Sequence, residues 1–189
     1  MHLVRRRWGT ALAEEHSKTD DFRPRIRHPD LLRLYDYWVS RHRGDMLPSR
    51  QDIDPADFKF AVGNVTLIDV LYEPPGFRFR LIGSLMAQRM GWDLTGKMVD
   101  EVPDAEYREG LLAAYRQMVA SRQPSTTLYE RLIDGKNRRF EVLRLPLASD
   151  GTTIDMLLLC PMYFEPLPAR SPLAGPPRDS TVPRVVEDG

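Results

Sequence analysis

Apolar side chains recur along this chain with two different periods. From residue 29 to 43, Leu31, Leu34, Tyr35, Trp38 and Val39 fall at helical spacing on one face. Pro29 suits a first helical position, and Gly44 suits a stop. The pattern predicts an amphipathic helix over 29–43 with an aromatic stripe. Asp54 can then cap a short helix that begins at Pro55.

Two runs of β character follow, 65–72 (VTLIDVLY) and 77–82 (FRFRLI). In the second, Phe77, Phe79 and Leu81 point one way, with Arg78 and Arg80 the other. Glu73-Pro74-Pro75-Gly76 between them predicts a hairpin. The period then changes. Ser84 opens a short helix carrying Leu85, Met86 and Met90, and Asp104 and Glu106 place negative charge at the start of a longer one. That helix bears Tyr107, Leu111, Tyr115, Met118 and Val119 and stops before Pro124. Strands over 126–133, 138–147 and 153–164 complete the pattern, with Asp134-Gly135 and Ser149-Asp150-Gly151 as turns. Two strands, a helical crossover and three strands predict an α+β fold. It is one five-stranded antiparallel sheet with helices on one face, preceded by the N-terminal helix.

The ends read differently. Residues 1–28 lack periodicity, and residues 165–189 hold six prolines and few large apolar side chains. Such segments bury too little surface to offset their ordering entropy. The expected organisation is a flexible tail over 1–28, a domain over 29–164 and a disordered Pro-rich tail over 165–189.

Charge narrows the partners. Lys+Arg and Asp+Glu are 27 each in 189 residues, so no overall field draws the chain to nucleic acid or an anionic membrane. Arg5, Arg6 and Arg7 read as a solvated tail end. One cysteine, Cys160, rules out an intrachain disulfide framework and Cys-rich zinc sites. No apolar run approaches the ~20 residues that span a bilayer, and no signal-peptide core follows the N-terminus. The expected location is cytoplasmic.

Catalytic chemistry finds little support. The histidines are His2, His16, His28 and His42, all before the predicted strands. No nucleophile elbow, phosphate-cradling glycine loop or zinc-protease motif occurs. Asp100 and Glu101 sit beside a helix start, where capping accounts for them. The expectation is a protein that is not an enzyme.

The element order, together with Leu34-Tyr35-Asp36-Tyr37-Trp38, Pro48-Ser49-Arg50, Asp52-Ile53-Asp54-Pro55, Leu67-Ile68-Asp69-Val70, Phe79-Arg80-Leu81-Ile82-Gly83 and Leu94-Thr95-Gly96, resembles the PAS domain over residues 30–164. Within it, the chain is similar to the small single-domain PAS-like proteins of alphaproteobacteria, a bacterial subgroup formerly catalogued as a domain of unknown function. The resemblance implies a signalling domain that binds a small ligand or cofactor between sheet and helices, or that dimerises, and passes the outcome to a partner. A haem in such a cavity wants an axial histidine from the helical segment. None lies between residues 84 and 122, which leaves Met86, Met90 or Met118 as possible ligands. A photoactive flavin wants a cysteine on a helix, whereas Cys160 falls in the last predicted strand. Neither cofactor is expected, and the ligand stays unnamed.

Alternation places Phe79, Leu81, Met86, Met90, Trp92, Tyr115, Leu128 and Phe140 toward the interior, joined by Val142 and by Met156 or Leu157. These line a ligand site or simply fill a core. Asp69 interrupts an apolar strand. If Val65, Leu67 and Leu71 face the core, so does Asp69, and Arg78, Arg80 or Arg144 would pair with it. It then makes a structural ion pair or holds the polar end of a ligand. The stripe Leu31, Leu34, Tyr35 and Trp38 packs on its own sheet or on a second copy. The expected function is a sensor or adaptor with a small apolar or amphipathic ligand, a downstream signalling partner and a homodimeric form. The alternative is a ligand-free interaction module with a filled core.

Overall fold

A computed structural model describes residues 22–90, 93–133, 136–165 and 184–186. Helix α1 (Pro29–Ser40) begins as expected at Pro29, where the His28 side chain accepts a hydrogen bond from the Asp30 N–H. It ends before the predicted residue 43. Arg41 and His42 donate back to the carbonyls of Trp38 and Val39, and Gly44 turns the chain with φ of 63°. Asp54 caps a single helical turn, Pro55–Phe58, through the Ala56 N–H.

The sheet comprises β1 (Thr66–Tyr72), β2 (Pro75–Ile82), β3 (Ser125–Ile133), β4 (Lys136–Leu147), β5 (Met156–Tyr163) and β6 (Arg184–Val185). Its order is β2-β1-β5-β4-β3-β6, and every pairing is antiparallel. The first five are the strands the sequence predicts. The sixth comes from the segment expected to be a disordered tail and pairs with Tyr129 and Glu130 at the β3 edge. Of that expected disordered stretch, residues 166–183 and 187–189 lie outside the described residues.

Between β2 and β3, helices α2 (Ser84–Met90) and α3 (Ala105–Ser121) cover one face, here called inner. Asp104 caps α3 through the Tyr107 N–H, and Arg122 ends it with φ of 57°. On this side Ile68, Val70, Phe77, Phe79, Leu157 and Leu159 meet Tyr115 and Met118.

The opposite, outer face is covered as well. Val65, Leu67, Leu143, Leu145, Leu147, Leu158 and Cys160 pack there against Leu31, Leu34, Tyr35 and Trp38 of α1. Each such side chain contributes about 2 kcal/mol by leaving water. The supposed N-terminal tail joins this layer from residue 22. Phe22 and Ile26 are buried, and the Phe22 ring meets that of Tyr35 at a tilt, 5.3 Å between centres. The N–H groups of Arg27 and His28 and the Thr126 hydroxyl all donate to the buried Glu141 carboxylate. A buried carboxylate thereby finds its donors, and the domain begins at or before Phe22.

Candidate functional site

The inner face divides into two halves. Over β1, β2 and β5 it is apolar and closely packed, with Val99, Val102, Tyr115, Met118 and Leu157 essentially without exposure. Over β3 and β4 the side chains change character. Residues paired across antiparallel strands share a face, so Ser125 with Arg144, Thr127 with Val142, Tyr129 with Phe140 and Arg131 with Arg138 all point inward. Tyr163 extends that row onto β5, opposite Phe140. Tyr129 stacks on Phe140 at 5.3 Å, and Phe140 meets Tyr163 at 4.8 Å.

Arg144 sits within this second half, only 3% exposed. Its Nη1 donates to Thr127 Oγ1 at 2.9 Å and its Nη2 to the Tyr129 hydroxyl at 2.8 Å, while its buried Nε has no partner among the described residues. From α2, Arg89 lies over the Tyr163 ring at 5.3 Å and donates to Asn64 Oδ1 at 2.5 Å. Desolvation pushes the phenols of Tyr107 and Tyr115 up, which keeps both protonated, and the Arg144 charge lowers each by a smaller amount. Tyr107 also feels Arg131. Arg138 pairs with Glu165 at 3.1 Å.

Of the residues the sequence singles out, Phe79, Met86, Tyr115 and Phe140 do lie on the inner side. Of the two offered at the head of β5, Leu157 faces inward and Met156 outward. Met90 is the last residue of α2, and Trp92 lies outside the described residues.

Three expectations need correction. Leu81 is 45% exposed, because the ladder pairs Leu67 with Leu81 but Ile68 with Phe79. The extra residue on β2 shifts the alternation, so Ile82 rather than Leu81 turns inward. Leu128 pairs with Glu141 and thus belongs to the outer face. Asp69 is buried as the alternation required, yet on the side shared with Val65 and Leu67. There Arg78 donates to it at 2.8 and 3.1 Å and Arg80 reaches it at 3.5 Å. This is the structural ion pair, away from the inner face, and Arg144 takes no part in it.

The aromatic stripe of α1 is likewise occupied. Leu31, Leu34, Tyr35 and Trp38 are buried by their own chain, and Trp38 Nε1 donates to the Pro146 carbonyl at 3.1 Å. An interface built on these side chains is replaced by intramolecular packing.

The model of the family described as "PAS domain" matches residues 26–160. The chain belongs to the PAS family. PAS domains are sensory and signalling modules, and that coarse role carries over to this chain. Solved structures similar to it are a light-oxygen-voltage domain studied with a flavin analogue (11% identity, 58% of this chain and 83% of that one, TM-score 0.43), a domain of an HTR-like protein from Haloarcula marismortui (19%, 54% and 99%, 0.38) and a sensory box histidine kinase/response regulator from Burkholderia thailandensis (18%, 57% and 83%, 0.35). No curated protein matches the chain.

Within this PAS domain Cys160 lies on the outer, α1-covered face, and burial pushes its thiol up to about 12. Among the described residues no group of three or more His, Cys, Asp or Glu side chains could hold a metal ion. No helix among them is long and apolar enough to cross a membrane. Arg144 is the residue the sequence reading undervalued, considered there only as a partner for Asp69. An arginine amid Val142, Leu143 and Leu145 was the available signal, since a charge in an apolar strand demands an account.

Proposed function

We propose that this PAS domain is a signalling sensor whose inner face takes a small molecule and passes its presence to a protein partner. The observation that carries this reading is the polar half of the inner face, where, among the described residues, the buried Arg144 guanidinium is met only by neutral hydroxyls. A core built solely for stability favours apolar side chains there, because an unpaired buried charge weakens folding. Phe79, Met86, Tyr115 and Phe140 would supply the apolar walls of the site. A bound molecule acts as a signal only where it prefers one arrangement of α2 and α3 over another.

A second reading treats the domain as a ligand-free interaction module. It is favoured by the tight packing over β1, β2 and β5 and by the exposed apolar side chains Val62, Leu81 and Leu85, which would meet a partner or second copy. Native mass spectrometry of freshly purified protein separates the two. A retained small molecule that raises the melting temperature when added back supports sensing. A bare chain that answers no member of a metabolite panel supports the second reading.

A further inference from the structure

We propose that Arg144 anchors the anionic end of the ligand, and that the ligand is a small aromatic carboxylate. This rests on the sensing reading above and names its chemistry. A guanidinium carries five N–H donors and does not deprotonate in a protein. Two of the donors of Arg144 go to Thr127 and Tyr129, and both acceptors are uncharged. The Nε–H, buried, has no acceptor among the described residues. No carboxylate among the described residues pairs with this side chain, although moving an ion into a protein interior is costly unless a partner compensates it.

The same chain satisfies its other buried charges. Asp69 receives Arg78 and Arg80, and Glu141 collects two backbone N–H groups and a hydroxyl. Arg41 and Arg138 also carry an unpartnered Nε, but each meets a carboxylate, so among the described residues Arg144 stands apart in having none. Its surroundings do not supply the missing charge. Facing it or its neighbours are Thr127, Tyr129 and Arg131 from β3, Tyr107 and Tyr115 from α3, Arg89 from α2 and Tyr163 from β5. The acid described at this end is Glu165, and Arg138 engages it. The charged side chains named here are basic apart from Glu165, and the group that completes them is an anion.

The shape of that anion follows from the neighbours. An Nε–H beside an Nη–H forms the planar fork that a carboxylate meets with two parallel hydrogen bonds. The Arg144 guanidinium lies 5.9 Å from the Tyr129 ring centre, at one end of the row Tyr129, Phe140 and Tyr163. A carboxylate seated on the fork would lay a flat apolar body along that row, where offset aromatic contacts add stabilisation.

The test uses the full chain and Arg144→Met. The probes are benzoate, 4-hydroxybenzoate, phenylacetate and indole-3-acetate, each matched with its neutral amide, read by calorimetry and thermal shift. At least one acid should bind the wild type and raise its melting temperature while its amide does not, and Arg144→Met should bind that acid roughly 10- to 100-fold more weakly. Without ligand, Arg144→Met should melt at or above the wild-type temperature, since removing an uncompensated buried charge is neutral or stabilising. The proposal is overturned if no acid binds, if acid and amide bind alike, or if the variant binds as well as the wild type. An apo variant that melts several degrees lower would likewise mark Arg144 as purely structural. A neutral molecule retained in native mass spectrometry and held equally by both forms would remove this proposal and leave the sensing reading intact. No retained molecule and no response to any probe would remove both.

Discussion

Truncating Trp38 to alanine separates the two roles that an aromatic helix stripe can have. The indole is 2% exposed between α1 and the outer sheet face. It meets the His42 ring edge-on at 4.2 Å and Tyr35 at 5.9 Å. Removing a buried Trp side chain costs about 3–5 kcal/mol through lost transfer and the cavity left behind. The Pro146 carbonyl also loses its indole donor, which adds about 1 kcal/mol. The sum, about 4–6 kcal/mol, rivals the whole stability of many domains, which lies at about 5–15 kcal/mol. Trp38→Ala should therefore be barely folded at room temperature. Trp38→Phe, which keeps a ring but loses the donor, should lose about 1–2 kcal/mol. Urea unfolding followed by far-UV circular dichroism gives both values, with sedimentation run alongside. An alanine variant within about 1 kcal/mol of wild type would refute the packing argument. If that variant kept its stability but lost a dimer seen in the wild type, the stripe would be an interface after all.

Three further outcomes follow from the geometry. Gly83→Ala should destabilise by about 2–3 kcal/mol, since a Cβ there would lie 2.5 Å from the Gly63 carbonyl oxygen and 2.7 Å from that of Val65, both rigid backbone; a normal urea midpoint would contradict this. Glu141→Gln should loosen residues 22–28, because its carboxylate accepts from Arg27, His28 and Thr126; limited proteolysis should then cut near Arg23 to Arg27, and protection equal to wild type would count against the contact. Burial lowers the His42 pKa below its unfolded value, so the unfolded chain binds more protons below about pH 6.5. Stability should fall as pH drops from 7.5 toward 5.5, and the fall should be smaller in His42→Gln; identical urea midpoints across that range in wild type would contradict the burial of the ring.

The candidate site was only partly legible. Period-two alternation is reliable within one unbroken strand, which is why Phe79 and Phe140 were placed correctly. It cannot see a bulge, so the extra residue at Arg80 reversed Leu81 without leaving a mark in the apolar pattern. Nor does alternation say which of two covered faces a buried residue joins. Asp69 and Leu128 are buried on the outer face, which alternation alone does not distinguish from the inner one, and Asp69 makes the structural ion pair that the sequence offers as one alternative. Residues 22–28 were missed because their hold on the domain runs through backbone N–H groups to Glu141, and backbone donors are invisible in a sequence.

The sequence by itself determined the local elements: where Pro29 and Asp104 start helices, which runs are strands, and that the strands must form one antiparallel sheet beneath a helical crossover. Those features depend on residues close together in the chain, so short-range sterics, capping and periodicity suffice. The tertiary structure alone decided that α1 closes the outer face with its own aromatic stripe. It also decided that Glu141 ties down the segment before α1, and that Arg144 lies among hydroxyls instead of beside Asp69. Each joins residues far apart in the chain through pairing register and packing, which arise only once the sheet has formed.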